Sequence, residues 1–201
     1  MKSYKNIIRN VIICTIHCAL CATLYPLTSC VETDSKLVEY VDKNHLDSPN
    51  DTVYSLVGII NKIQAIADRT ILLGELRGDL CALNEHAHLD LQDIANFNIG
   101  EGNPYNNARD YYAIIQNCNY FIAHADTSLS KRGEKVFERE LAVVRTYRAW
   151  TYMQLALNYG KVPFFTQPIL TEKDGDPSLY PMVDISYIAD YFIKELEPLV
   201  D

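Results

Sequence analysis

Apolar residues recur at helical spacing in three stretches of the chain. Leu56, Ile59, Ile60, Ile63, Ile66 and Ala67 form the first. Ser48-Pro49-Asn50-Asp51 ahead of them offers short polar side chains to the free amides of a helix start. Tyr111, Ile115, Cys118, Ile122 and Ala125 mark the second, a helix from about Ala108 to Asp126. Ser130 to Gly133 reads as a turn, and a third helix follows from about Glu134 to Tyr159. This one carries two stripes, Phe137-Leu141-Val144-Thr151-Leu155 and Val143-Tyr147-Trp150-Gln154-Leu157. A helix apolar on two faces is expected between two neighbours. Gly160 can take the left-handed conformation that stops it, and Pro163 forbids a restart.

Between the first two helices the pattern is weaker. TILLGELRGDLCALNEHAH has no clean period, Leu89 to Phe97 suits a short helix or turn, and Asn96 to Asn107 is a loop rich in Asn, Gly and Pro. Tyr187 to Val200 is an amphipathic helix with nothing after it to cover its apolar side. The pattern predicts a mostly α fold of layered helical hairpins, with helices two and three as one hairpin. No consensus repeat of about 34 residues is visible.

The amino terminus follows a different logic. Lys2, Lys5 and Arg9 precede an apolar run of 17 residues, Val11 to Leu27, and Leu27-Thr28-Ser29-Cys30 places small residues before a cysteine. That order predicts a secretory signal over 1–29, cleaved so that Cys30 carries lipid. His17 and Pro26 interrupt the run, which argues against a transmembrane anchor. Residues 30–48 are polar and acidic and read as a flexible tether, with the folded region over 49–201.

Cleavage would remove Lys2, Lys5 and Arg9, leaving 15 of 18 basic residues against 26 acidic ones, a net charge of −11. A chain so acidic lacks the basic footprint that nucleic acid demands. Besides Cys30, the mature chain holds Cys81 and Cys118; both sit in apolar surroundings that favour buried free thiols over a bridge.

Arg148-Ala149-x-x-Tyr152 followed by Tyr159-Gly160-x-Val162-Pro163 is a rarer combination than a helix ending in glycine and proline. It resembles the SusD/RagB family of surface glycan-binding lipoproteins. The resemblance covers most of 49–201 and only the amino-terminal part of family members, so the chain is expected to be incomplete. It implies a tetratricopeptide-like scaffold at the outer membrane, facing the cell exterior. The implied partner is a TonB-dependent transporter, which would receive an oligosaccharide or peptide ligand.

Glu75-Leu76-Arg77-Gly78-Asp79 matches a segment of that family near its ligand surface. Arg77 offers a planar fork of donors and Asp79 could accept from paired hydroxyls, although a structural turn suits the motif better. Asn103, Tyr105, Asn106 and Asn107 combine an aromatic ring with amides, the groups that hold a sugar, but they also form ordinary turns. Family members that bind starch-like glycans often carry Trp here, whereas the single Trp150 of this chain lies mid-helix and reads as core. His86 and His88 would share a face of a strand, yet no third ligand has a diagnostic spacing, so a solvated loop is expected in place of a metal site. Arg148 near an apolar stripe calls for an ion pair or a carbonyl partner. No nucleophile triad, phosphate loop or paired-cysteine motif occurs, and no cofactor or catalytic residue is assigned. The alternatives to a nutrient-capture protein are a helical adaptor for another envelope protein and, less well supported, a metal- or carboxylate-dependent hydrolase.

Overall fold

A computed structural model of the chain describes residues 45–78, 80–131 and 134–200. The expected signal segment, Cys30, most of the expected tether and Asp79 lie outside the described residues. Among the described residues six α-helices carry the fold: α1 (Pro49–Gln64), α2 (Ala67–Glu75), α3 (Leu89–Ala95), α4 (Ala108–His124), α5 (Glu138–Tyr159) and α6 (Ile185–Leu196). Two small antiparallel pairs complete it, β1 (Ser130–Lys131) with β2 (Glu134–Lys135), and β3 (Val162–Pro163) with β4 (Met182–Val183). Among the described residues no helix is long and apolar enough to cross a membrane.

Ser48 caps α1 as its sequence predicts, its hydroxyl accepting from the Asp51 amide at 3.2 Å. The first apolar stripe does not stay on one helix. The chain breaks at Ala65–Ile66 and restarts as α2, which buries Ile66 in the main core and turns Leu73 into a second, smaller cluster. Upstream of α1, Leu46 is buried and its backbone pairs with Ala125 beyond the end of α4.

α4 and α5 form the predicted hairpin. Tyr111 meets Tyr159 near one end and Asn119 meets Arg148 further along, so the helices run antiparallel. α5 starts at Glu138 and not Glu134, because residues 134–135 pair back on 130–131 and Phe137 takes a left-handed φ of 68°. Its first predicted stripe is buried at Leu141, Val144, Thr151 and Leu155. The second is not: Val143 and Leu157 are exposed, and Tyr147, Trp150 and Gln154 are half-covered. The other buried side is Arg148, Ala149, Tyr152 and Ala156, where Arg148 and Tyr152 meet Glu195 and Phe192 of α6. Counting only apolar residues misses a face built around a paired arginine.

The same contacts cover α6, contrary to the expectation of an open apolar side. Ile188 and Phe192 are buried, with Phe192 against Tyr152 and Phe164. Burying such side chains is worth roughly 1.5–3 kcal/mol each.

The motif residues of α5 hold the backbone strap that follows it. Tyr152 Oη donates to the Phe165 carbonyl at 2.8 Å and accepts from the Phe165 amide at 3.0 Å. Arg148 Nη1 donates to the Thr166 carbonyl at 3.3 Å. α4 contributes from its own face: Tyr112 Oη donates to Pro163 O, Asn119 Nδ2 to Phe165 O and Gln167 O, and Gln116 makes a two-way pair with the Ile169 backbone. Arg148 and Tyr152 are four residues apart, hence on one helix face, and so reach successive parts of one strap. The spacing in R-A-x-x-Y is therefore architectural, and Gly160 at φ 74° turns the chain into the strap.

Candidate functional site

The smaller core cluster of Leu73, Leu76 and Ile94 joins α2 and α3, and the loop 96–107 closes over it through Ile99 and Tyr105. Where this cluster meets the end of α5, two clefts open, of about 340 and 290 Å³. Leu73, Arg77 and Asn158 line both, so the clefts are the two arms of one trough. Phe97 and Leu157 border the larger arm; Ile99, Asn106 and Tyr159 line the smaller.

Arg77 is fixed at the junction. Its Nε donates to the Leu73 carbonyl and its Nη2 to Asn158 Oδ1, tying the end of α2 to the end of α5. The structural role expected for Arg77 is present, and the same side chain lines the trough. Burial, then the neighbouring Tyr111, holds the Tyr159 phenol above its ordinary range, so at neutral pH it offers a neutral hydroxyl.

Neither a protein-family model nor a curated protein matches the sequence. A solved structure does: a SusD superfamily protein from Bacteroides thetaiotaomicron, with a TM-score of 0.59 and 24% identity over 77% of this chain. This is a SusD-like fold. The chain spans 35% of that protein's length.

Within the SusD-like fold the loop amides are largely committed to the loop itself. Asn103 is buried, its Nδ2 donating to Asp90 O and its Oδ1 accepting from the Tyr105 amide, both at 3.0 Å. Asn107 caps α4, accepting from the Arg109 amide at 3.1 Å and donating to Asp110 Oδ2. Asn106 Nδ2 donates to Gly100 O at 3.1 Å, and Asn106 is the member of the group that also lines the trough. Tyr105 packs on the smaller cluster. Of the predicted residues, the structure brings Arg77 and Asn106 to one cleft, and gives Asn103, Asn107 and Tyr105 the work of shaping the loop behind it.

Phe97 is the residue that sequence reasoning passed over. It is 72% exposed and sits two residues past α3 at φ 57°, a left-handed position usually taken by Gly or Asn. A non-glycine residue there costs about 1 kcal/mol, and exposure returns little of it. Its place between two asparagines just after a helix was the available signal. Phe97→Gly is expected to raise stability by about 1 kcal/mol in chemical denaturation while removing the ring from the trough. A loss of stability would show instead that the ring packs.

Sulfur and imidazole groups lie elsewhere. Cys118 is buried, as expected, and burial pushes its thiol up to about 12; Cys81 is exposed, which corrects the expectation of a buried thiol. Neither is bridged. In the folded protein a thiol reagent is expected to label Cys81 and spare Cys118 until the chain unfolds, as peptide mapping would reveal. Equal labelling would contradict this. His88 caps α3, its Nδ1 lying 2.9 Å from Asp90 Oδ2, whereas His86 is solvated beside Glu85. Among the described residues no three potential metal ligands converge.

Proposed function

We propose that this chain is the capture region of a surface-exposed outer-membrane lipoprotein that binds a glycan or related nutrient and passes it to a TonB-dependent transporter. In this reading residues 1–29 direct export, Cys30 carries the lipid, and residues 30–48 form the tether. The observation that carries it is the trough at the end of α5, where exposed Phe97 lines the larger arm with a fixed Arg77 and Asn158, and Asn106 lines the smaller arm. An aromatic ring beside planar hydrogen-bonding groups suits a sugar, which presents CH surface on one side and hydroxyls at its edge. Asp79, two residues from Arg77, is a further candidate acceptor. The protein acts by binding and performs no catalysis in this reading.

Retention on immobilised polysaccharides tests it. The parent chain should be retarded by at least one glycan, and Phe97→Ala should abolish the retardation without loss of thermal stability. Unchanged retardation of the variant would move the site away from the trough.

An adaptor role draws on a different surface. Val53, Tyr54 and Val57 are exposed on α1, an apolar patch suited to a protein partner. Capture of an envelope protein that survives Phe97→Ala but not Tyr54→Asp would favour that role.

A further inference from the structure

Among the described residues four arginines are buried or half-buried, and three of them meet a carboxylate. Arg69 Nη1 lies 2.7 Å from Asp110 Oδ2, Arg148 Nη2 contacts Glu195 Oε1, and Arg145 Nε lies 3.9 Å from that same oxygen. Arg77 departs from this pattern. Its acceptors are a backbone carbonyl and an amide oxygen, both neutral. They fix the plane of the guanidinium and satisfy Nε and Nη2 without cancelling the charge.

The rest of the trough is also uncharged. Thr70, Gln154, Asn106, Asn158 and the neutral phenol of Tyr159 supply its other polar side chains, and no described carboxylate lines either arm. This occurs in a chain with 26 acidic residues. The overall negative charge opposes an anionic ligand only weakly, because salt screens charges beyond about 8 Å. Among the described residues, what a ligand meets inside the trough is a fixed cation with no carboxylate paired to it.

We propose that the trough selects saccharides bearing an anionic group, a carboxylate or a sulfate ester, and that Arg77 is the residue that recognises it. The inference rests on the glycan-binding reading of the same trough and names its ligand class. A guanidinium pairs with planar or tetrahedral oxyanions through charge-assisted hydrogen bonds, about twice as strong as those to a neutral hydroxyl.

The test uses matched ligands on the full chain, with affinity measured by calorimetry. One pair is a short oligogalacturonate and its methyl ester; the other is a sulfated galactan oligosaccharide and its desulfated form. The anionic member of at least one pair should bind about tenfold tighter than its neutral counterpart, and the difference should shrink in high salt. Which pair responds separates carboxylate from sulfate recognition. Arg77→Gln should erase the difference, and Arg77→Lys should keep part of it.

The salt dependence and the matched pairs need only the parent chain, so they stand even if Arg77→Gln fails to fold. Asp79→Asn should leave the difference within each pair unchanged. A gain confined to the charged form would mean that Asp79 already neutralises Arg77, and would overturn the proposal. Equal binding within both pairs, or binding of neutral glycans alone, would overturn it while leaving the trough as a glycan site. No binding to any saccharide, charged or neutral, would remove both.

Discussion

Replacing Glu195 with alanine is expected to destabilise the protein by about 3–5 kcal/mol, because it leaves the Arg148 charge buried without a counterion. Arg148 is 2% exposed and lies between α4, α5, α6 and the strap. Its guanidinium donates to Asn119 Oδ1 at 2.7 Å, to Thr166 O at 3.3 Å and to Glu195 Oε1, and its carbon sits 5.8 Å from the centre of the Phe192 ring. Two of these acceptors are neutral, so the carboxylate alone balances the charge. Denaturant titration would give the cost directly. Glu195→Ala combined with Arg148→Leu should be less damaging than Glu195→Ala alone, since the apolar replacement removes the stranded charge. A Glu195→Ala protein within about 1 kcal/mol of its parent would mean that water solvates the arginine once the carboxylate is gone.

This cluster also marks how far the sequence could be read. The period of 3.6 residues identified α1, α4 and α5, and Gly160 with Pro163 located the turn after α5. What periodicity could not supply was the partner of a polar residue. Arg148 announced that it needed one, but Glu195 lies 47 positions away and Asn119 lies 29 positions before it on another helix. The second buried face of α5 was therefore read as the wrong stripe, and α6 looked uncovered. α2 and α3 are too short to develop a strong period, so their cluster under the loop emerged only in three dimensions.

The trough was partly legible for the same reason. Arg77 stood out as a fork of donors, and the loop stood out by its composition. Asn158, 81 positions from Arg77, did not. Phe97 was hidden by its chemistry: an apolar residue at the end of a short helix reads as core, and only its left-handed backbone turns it outward.

Removing one oxygen from Tyr152 should cost about 2 kcal/mol. Phenylalanine at this position keeps the ring, whose centre lies 4.9 Å from that of Phe164 and 5.8 Å from that of Phe192. It loses the hydroxyl that bonds both backbone groups of Phe165. The Phe165 carbonyl would keep its bond from Asn119 at 3.3 Å, so the loss falls on the buried amide, which has no other partner among the described residues. The variant should also respond differently to alkali. Burial, the largest influence, raises the Tyr152 phenol above its ordinary value of 10.0, and burial raises Tyr112 in the same direction. A raised folded value means that the unfolded chain gives up its proton first. Stability from the neutral phenol is thus complete below about pH 10 and is lost as the pH rises toward the folded value. Denaturation midpoints at about pH 8 and about pH 11 should therefore fall further for the parent than for Tyr152→Phe, with Tyr112 accounting for part of the decline that persists. Equal declines would place the alkaline sensitivity at Tyr112, Tyr111 and Tyr159, whose phenols burial also raises, and leave Tyr152 a purely hydrogen-bonding role.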